Sequence, residues 1–343
     1  MLKEVFSFEN LYKAHKAARL GKRDKIEVID FELNLSRNLT LLSQSLINKT
    51  YKMSGYYNFY VHDPKEREIH ALHYVDRVVQ HCLCDELLAP VIDKKLIYDN
   101  AACRVGKGTH FALERVTRFM REFYKKEGTD GYFLKCDIRK FFNSIDHEIL
   151  KKKISKIGFS EDVMWLLNMI IDSFEITSGK GIPMGNQTSQ WFAIYYLDGF
   201  DRMIKEQLKI KYYSRYMDDC VLIHKNKDYL KNCKSELKYY LAKELKLEFN
   251  EKTQIFPIKN GVDYLGWHFY LTKTGKVIMK VRTQAKKRFK RKIKYIESAC
   301  ANGNIELSDA LQVINSYRAH LSHGNTFKLR NIVLNNIILK RII

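Results

Sequence analysis

Proline, paired cysteine spacings and long apolar runs are scarce or missing in this sequence. Only four of its 343 residues are proline, which excludes long proline-rich linkers. No run of about 18 apolar residues occurs, so we expect no membrane-spanning helix. The basic N-terminus lacks the apolar core of a secretory signal, and the seven cysteines form no CxxC pair, so we expect reduced thiols. These absences predict a cytoplasmic protein without membrane association.

Positive charge is what the sequence has in excess. The formal net charge of +21 predicts a polyanionic partner, while the hydrophobic content of 45% permits a sizeable core. Residues 273–343 alone contain 16 Lys and Arg against 3 Asp and Glu. Within them Phe289, Ile293 and Ile296 recur at helical spacing, with cations on the other face. We therefore expect a small basic helical domain at the C-terminus.

Apolar periodicity and turn residues predict an alternation of helices and short strands. Asn143 or Ser144 is expected to cap one helix, and Thr188 or Ser189 to open another. The expected helices cover residues 8–50 with a break at 20–25, and then about 74–92, 111–126, 161–173 and 228–245. The expected strands lie within 56–70, around a turn at Asp63-Pro64, and within 131–138, 212–224, 253–258 and 262–271.

The stretch "YYSRYMDDCVLIH", residues 212–224, places Asp218 and Asp219 side by side in an otherwise apolar run. Acidic residues are seldom buried without compensation, and adjacent carboxylates repel each other. A divalent cation removes that repulsion, and Mg²⁺ prefers oxygen ligands and substrate phosphates. The turn at Met217-Asp218 lacks Asn-Gly chemistry, so we expect backbone strain there, often a mark of a functional site.

A third acid ends another predicted strand. In "GYFLKCDI" the alternation puts Phe133, Lys135 and Asp137 on one face. Two cations about 4 Å apart can hold the attacking and leaving oxygens of a phosphoryl transfer. Each Asp taken singly is better explained as an ordinary turn acid. The combination of all three in a chain of this charge favours a metal site.

The ordered motifs of this chain resemble those of reverse transcriptases. "KCDIRKFF" resembles the first palm motif, "GIPMGNQTSQ" the loop–helix motif beneath nucleotide and template, and "YMDD" the catalytic hairpin. The remaining matches are "NEKTQI", "VDYLGWHF" (the primer grip) and the fingers motifs "KER" and "ACRVGKGT". The order is that of the family over nearly the whole chain.

This resemblance implies an α+β fold, a right-hand polymerase whose palm is an antiparallel sheet with packed helices. The N-terminal helices and fingers would occupy residues 1–130 and about 151–190. The palm would occupy 131–150 and 190–270, and a basic helical thumb 271–343. The implied activity is RNA-directed DNA synthesis by two-metal phosphoryl transfer, with two Mg²⁺ ions or Mn²⁺ as a substitute.

The loop–helix motif narrows the resemblance. Its GNxxSQ form, residues 185–190, is similar to the reverse transcriptases of diversity-generating retroelements. That group implies error-prone, adenine-directed cDNA synthesis on a structured retroelement RNA. The implied partners are the RNA template, the primer or cDNA strand, deoxynucleoside triphosphates and a small helical accessory oligomer.

The resemblance also implies residue roles at the metal and nucleotide sites. Asp137 and Asp218 are expected as the main metal ligands, with Asp219 assisting and Ile138 offering its backbone carbonyl. Phe142 is expected as the gate against a 2′-hydroxyl, although Phe141 or Phe142 belongs to the core. The other residues expected to contact the nucleotide are Lys65, Arg67, Met184, Gly185 and Lys252.

Some of these roles have plain alternatives. Lys65 and Arg67 are explained either by triphosphate binding or by a solvated edge strand. Lys252 is explained either by contact with the leaving pyrophosphate or as an ordinary surface lysine. Met184 stands where many relatives carry Gln, and a thioether is nearly non-bonding, so we expect reduced fidelity. The expected template and primer contacts are Arg104, Asn186, Gln190, Tyr216, Met217, Gly266, Lys287 and Arg291.

Two other functions remain open on the sequence. One is a group II intron-like or antiviral-defence reverse transcriptase. A template repeat and a variable repeat in the flanking DNA would argue against that function. The other is a catalytically inactive RNA-binding scaffold, against which the intact acids argue.

Overall fold

The computed structural model describes residues 1–62 and 66–339. Its helices are α1 (Leu2–Val5), α2 (Phe8–Ala18), α3 (Ile26–Leu33), α4 (Leu35–Ile47), α5 (Tyr74–Leu83), α6 (Ala89–Asp93), α7 (Thr109–Glu127), α8 (Phe141–Ser144), α9 (His147–Ser155), α10 (Glu161–Asp172), α11 (Gln187–Tyr196), α12 (Asp198–Arg202), α13 (Lys227–Leu245), α14 (Thr283–Ala301), α15 (Leu307–Ser322) and α16 (Phe327–Leu334). Its strands are β1 (Tyr56–Val61), β2 (Arg67–Leu72), β3 (Tyr132–Asp137), β4 (Tyr212–Tyr216), β5 (Asp219–His224), β6 (Gln254–Pro257), β7 (Val262–Tyr264), β8 (Trp267–Leu271) and β9 (Val277–Val281). Short π-helical segments extend α5 and α12.

The largest sheet is four-stranded and antiparallel, in the order β4-β5-β3-β6. Leu134 and Cys136 of β3 are buried in a core that also holds residues of α11 and α13. Phe133 is buried in a second core, together with residues of α7. The alternation expected for β3 is therefore confirmed, and both faces of the strand are covered.

The chain forms two smaller sheets as well. The hairpin β1–β2 matches the strand pair expected within 56–70, while the turn expected at Asp63-Pro64 lies outside the described residues. The antiparallel sheet β7-β8-β9 shares the core that contains Phe133. Helices α14, α15 and α16 pack around a separate core, in which Phe289, Ile293 and Ile296 are buried as their spacing predicts.

Three local expectations were wrong. The helix after β3 is capped by Asp146, whose side chain accepts from the backbone N–H of Ile149 at 3.1 Å, instead of by Asn143 or Ser144. Those two residues form part of the short helix α8, which precedes the cap. Helix α11 begins at Gln187 with Asn186 as its N-cap, before Thr188 and Ser189. The segment expected to be helical from 271 opens with β9, because Val277 and its neighbours pair with β8.

Throughout the described residues, no helix combines the length and apolar character needed to cross a membrane. All seven cysteines are free thiols, and six of them are buried.

Candidate active site

The sheet brings two of the three acids together. Strand β3 ends at Asp137 and β5 begins at Asp219, and the antiparallel register places these two residues directly opposite each other. Directly opposed residues project on the same face, with Cβ atoms about 5 Å apart. Met217 and Asp218 form the two-residue turn between β4 and β5. The paired residues Tyr216 and Asp219 close this turn, so Asp218 lies next to Asp219. Three acids from two distant parts of the chain thus meet where the two inner strands of the sheet end.

Burial and mutual repulsion raise the pKa values of Asp218 and Asp219. Burial is the largest influence on Asp219, and Asp137 and Asp218 add to it, so that its pKa rises to about 7 although Lys135 lowers it. For Asp218, burial again raises the pKa most and Asp137 raises it further, whereas Arg215 and Arg67 lower it. The site is therefore short of positive charge.

The acids fit a divalent cation that takes its other ligands from substrate and water. Oδ1 of Asp219 is buried and has no hydrogen-bond partner, which leaves an oxygen available for a metal. Among residues 1–62 and 66–339, no three His, Cys, Asp or Glu side chains already surround a common metal position. This arrangement suits Mg²⁺-type binding, in which one or two carboxylates act with water and substrate phosphates. Asp137 and Asp219, with Asp218 beside them, would hold the ion.

An open cavity of about 680 Å³ lies against Asp137 and Asp219. Lys135, on the same face of β3, approaches Oδ2 of Asp219 to 3.4 Å and donates to the carbonyl of Asp263 at 2.7 Å. Lys252, expected near the leaving pyrophosphate, lines the same cavity. The structure therefore places two cations beside the acids, where anionic phosphates would enter.

The two aromatic residues after β3 differ in burial, as the sequence suggests. Phe141 is 3% exposed and belongs to the core. Phe142 is half-buried and packs edge-on against Phe141, with ring centroids 5.7 Å apart.

The backbone of Ile138, the residue expected to offer its carbonyl to a metal, forms an isolated antiparallel bridge with Phe249. The hydrogen bonds on either side of this bridge are made by the neighbours of the two residues. In such a pair the Ile138 carbonyl points away from Phe249.

The loop before α11 lines a second cavity, of about 390 Å³, opposite strand β2. Four expected contact residues lie there together: Met184, Gly185, Asn186 and Gln190. Gly185 has φ +104°, a conformation that a residue with a side chain rarely adopts. Asn186 is buried, and its Nδ2 lacks a hydrogen-bond partner. Unpaired buried amides are costly unless a ligand or water satisfies them.

The remaining expected contacts are dispersed. Arg67 is exposed on β2, and Lys65 lies outside the described residues. Gly266 follows Leu265 in the β7–β8 turn, where both have positive φ, so the turn conformation itself favours glycine. Lys287 and Arg291 line a groove of about 710 Å³ on α14, which His62 also borders.

Arg104 is bonded within the protein. Its Nε donates to the side chain of Asp93, and its other nitrogens donate to the carbonyls of Ile97 at 2.6 Å, Asn100 at 3.1 Å and Asp93 at 3.2 Å. The side chain is 8% exposed. These bonds hold the loop between α6 and α7, and a contact of Arg104 with template or nucleotide stays a prediction.

Sequence reasoning missed Arg215, which holds the turn between β4 and β5. It is fully buried and pairs through Nε and Nη2 with both oxygens of the equally buried Asp201, at 2.7 and 2.6 Å. Its Nη1 donates to the carbonyl of Met217 at 2.8 Å. Met217 has φ +54°, so the strain expected at this turn is confirmed. An arginine in a buried strand is itself a signal, because such a charge requires a partner.

Opposed acids at neighbouring strand ends, beside a cavity lined with cations, are typical of nucleotidyltransferases. The sequence model of the reverse transcriptase (RNA-dependent DNA polymerase) family matches residues 62–269. The chain belongs to this family, members of which use divalent metal ions.

Solved telomerase structures are similar to the chain over much of its length. Apo telomerase from Candida tropicalis aligns with 15% identity and a TM-score of 0.48, over 71% of this chain and 53% of that one. Telomerase from Candida albicans with a TWJ fragment of telomeric RNA aligns with 12% identity and a TM-score of 0.47, over 83% and 56%. The chain thus spans just over half the length of these telomerase chains. No curated protein matches the chain.

Proposed function

We propose that this protein is an RNA-directed DNA polymerase whose metal site is formed by Asp137, Asp218 and Asp219. The observation that carries the proposal is the register of β3 and β5, which sets Asp137 opposite Asp219 next to the turn acid Asp218. Membership of the reverse transcriptase family supports the same chemistry. Phosphoryl transfer depends mostly on positioning and charge, which this site offers.

Three residues around the acids have a proposed task in binding the nucleotide. Divalent cations, when bound, would neutralise phosphate charge and lower the pKa of the attacking primer hydroxyl. Lys252 would face the triphosphate from the cavity that Asp137 and Asp219 line, and Arg67 from the side of Asp218, whose pKa its charge lowers. Phe142 would support the sugar and reject a 2′-hydroxyl.

The proposed layout is a right hand. The four-stranded sheet would be the palm, the β1–β2 hairpin with the N-terminal helices would be the fingers, and α14–α16 would be the thumb. Cations on α14, among them Lys287 and Arg291, border the groove that reaches His62. A duplex lying there would release counterions, so its binding should weaken steeply with salt.

We also propose the diversity-generating subtype, in which cDNA synthesis is error-prone opposite template adenine. The support is the GNxxSQ sequence of the loop at 185–190, and Met184, which lines the 390 Å³ cavity beside it. The proposal includes Mg²⁺ as the physiological ion, a helical accessory oligomer that helps to hold the RNA, and a cytoplasmic location. Seven free thiols suit that reducing compartment.

Primer extension on a defined RNA containing adenines tests activity and fidelity together. The wild type should extend a DNA primer, and Asp218→Ala should not. Sequencing the cDNA should reveal substitutions concentrated opposite adenine. Equal extension by both proteins would overturn the polymerase proposal in favour of an RNA-binding scaffold. Extension with errors spread evenly over the four bases would overturn the subtype alone.

A further inference from the structure

A short loop between α15 and α16, residues 323–326, joins the C-terminal helices to the β7-β8-β9 sheet. Helices α14–α16 otherwise surround their own core. The loop is fixed on the helical side, where Thr326 donates through its hydroxyl to the carbonyl of Leu321. On the sheet side it contacts β8 and β9, through contacts that involve both its backbone and its side chains.

Asn325 pairs with both backbone groups of one residue at the edge of that sheet. Its N–H donates to the carbonyl of Met279 at 2.8 Å, and its side-chain Oδ1 accepts from the N–H of Met279 at 2.9 Å. Strand β9 is an edge strand, because β8 is its neighbour on one side only. Edge strands present unpaired backbone groups, and Asn325 satisfies the pair at Met279 as a further strand would.

Gly324 lies directly against Trp267, the first residue of β8. A Cβ atom at Gly324 would be 2.1 Å from the indole ring and 2.9 Å from the carbonyl of Met279. Trp267 is 1% exposed, so its ring has little room to move away. His320 packs on the same indole, with ring centroids 5.3 Å apart. Any side chain at position 324 would therefore push the loop off the sheet.

A stacked pair of histidines makes the third contact of the loop. The rings of His323 and His110 lie 3.6 Å apart, centroid to centroid, at an interplanar angle of 28°. His110 belongs to the first turn of α7, which packs on the four-stranded sheet. The loop therefore touches both the small sheet and helix α7.

We infer that the 323–326 loop sets the distance between two surfaces that hold the nucleic-acid duplex, with Gly324 and Asn325 as positioning residues. One surface is the β7–β8 turn, which ends at Trp267, and the other is the cationic face of α14. Two linked sites retain a ligand far longer than either alone, provided that their spacing matches it. The inference rests on the proposed function, and it concerns how long the duplex is held instead of the chemical step.

The test measures dissociation of a labelled RNA–DNA duplex from the full-length protein, by fluorescence anisotropy after adding unlabelled competitor. In Asn325→Ala the N–H of Met279 loses its acceptor, and we expect dissociation about tenfold faster, the size of effect that an unpaired, part-buried donor produces. Asn325→Asp keeps an oxygen acceptor and should restore the wild-type rate to within about twofold. Gly324→Ala should accelerate dissociation as Asn325→Ala does.

Asn336→Ala is the matched control. Asn336 is an exposed residue of the same C-terminal region, and its Nδ2 donates to the carbonyl of Ile332 at 3.0 Å. This variant should dissociate like the wild type. Incorporation of the first nucleotide at saturating duplex should be unchanged in all four variants, whereas products made after a single encounter should be shorter in Asn325→Ala and Gly324→Ala.

Wild-type dissociation in Asn325→Ala would overturn the inference, and so would equal acceleration in Asn325→Ala and Asn325→Asp. The two hypotheses can fail separately. If the wild type extends no primer but Asn325→Ala still releases the duplex faster, the loop inference survives and the polymerase proposal fails.

Discussion

Arg215→Lys should loosen the catalytic turn while keeping the buried positive charge. The side chain of Arg215 makes four hydrogen bonds: two to Asp201, one to Met217 and one to the carbonyl of Ile194 at 3.1 Å. Lysine has a single ammonium in place of the planar fork, so it cannot reach Asp201 and Met217 together in this geometry. Bonds to charged partners contribute about 1.5–3 kcal/mol each. If lysine keeps one bond to Asp201, three bonds are lost, and the free energy of unfolding should fall by about 4.5 kcal/mol or more.

The same substitution should slow synthesis under conditions in which the protein is still folded. Met217 keeps a left-handed backbone conformation that costs about 1–3 kcal/mol in a residue with a side chain. Without the bond from Arg215 to its carbonyl, the turn that bears Asp218 should leave this conformation part of the time. If the preference of the turn for this conformation falls by about 1.4 kcal/mol, the rate of nucleotide incorporation should fall about tenfold.

Urea denaturation followed by tryptophan fluorescence, together with single-turnover primer extension, measures both effects. Arg202→Lys is the matched control, since Arg202 is 44% exposed, pairs with Asp198 and Glu206 along its own helix, and donates to the exposed carbonyl of Lys95 at 2.6 Å. Such exposed pairs contribute about 0–1 kcal/mol. If Arg215→Lys behaved like Arg202→Lys in stability and in rate, the role assigned to the buried pair would be refuted.

Three further predictions concern selectivity and binding. Phe142→Ala should lower discrimination against ribonucleotides by about tenfold or more, measured in a competition between ribo- and deoxyribonucleotides. Phe141→Ala should chiefly lower the free energy of unfolding, by about 3–5 kcal/mol. Met184→Gln should lower the error rate opposite template adenine by about fivefold, since one added hydrogen bond can favour correct geometry by about 1 kcal/mol. An unchanged cDNA error spectrum would contradict this. The double variant Lys287→Ala with Arg291→Ala should reduce the slope of log K against log salt for duplex binding by about 2, and an unchanged slope would remove both residues from the interface.

Local patterns were sufficient to locate the acids. The period of two in β3 assigned Asp137 to a strand end, and the paired acids in an apolar run marked a hairpin turn. The helical spacing of Phe289, Ile293 and Ile296 likewise identified a buried face. In each case the information lies within about ten residues of sequence, which is the range that periodicity covers.

Features that depend on distant partners were not predictable in the same way. Asp201 lies 14 residues before Arg215 and belongs to a helix, so nothing local indicates the pair. Strand β9 forms because its backbone pairs with β8, although the sequence around it is basic and predicts a helix. The contact of Gly324 with Trp267 joins residues 57 positions apart. Tertiary contacts of this kind override local propensity.

Binding of Mn²⁺, counted by electron paramagnetic resonance in the presence of duplex and a nucleotide triphosphate, tests the shared carboxylate site most directly. Asp137→Asn should weaken binding by about tenfold or more, because removing one charged ligand lowers affinity for a hard cation. Asp263→Asn is the control, since Asp263 lines the same cavity but pairs with His268 and Arg282. We predict wild-type affinity for that control. Equal Mn²⁺ affinity in the wild type and Asp137→Asn would contradict the account.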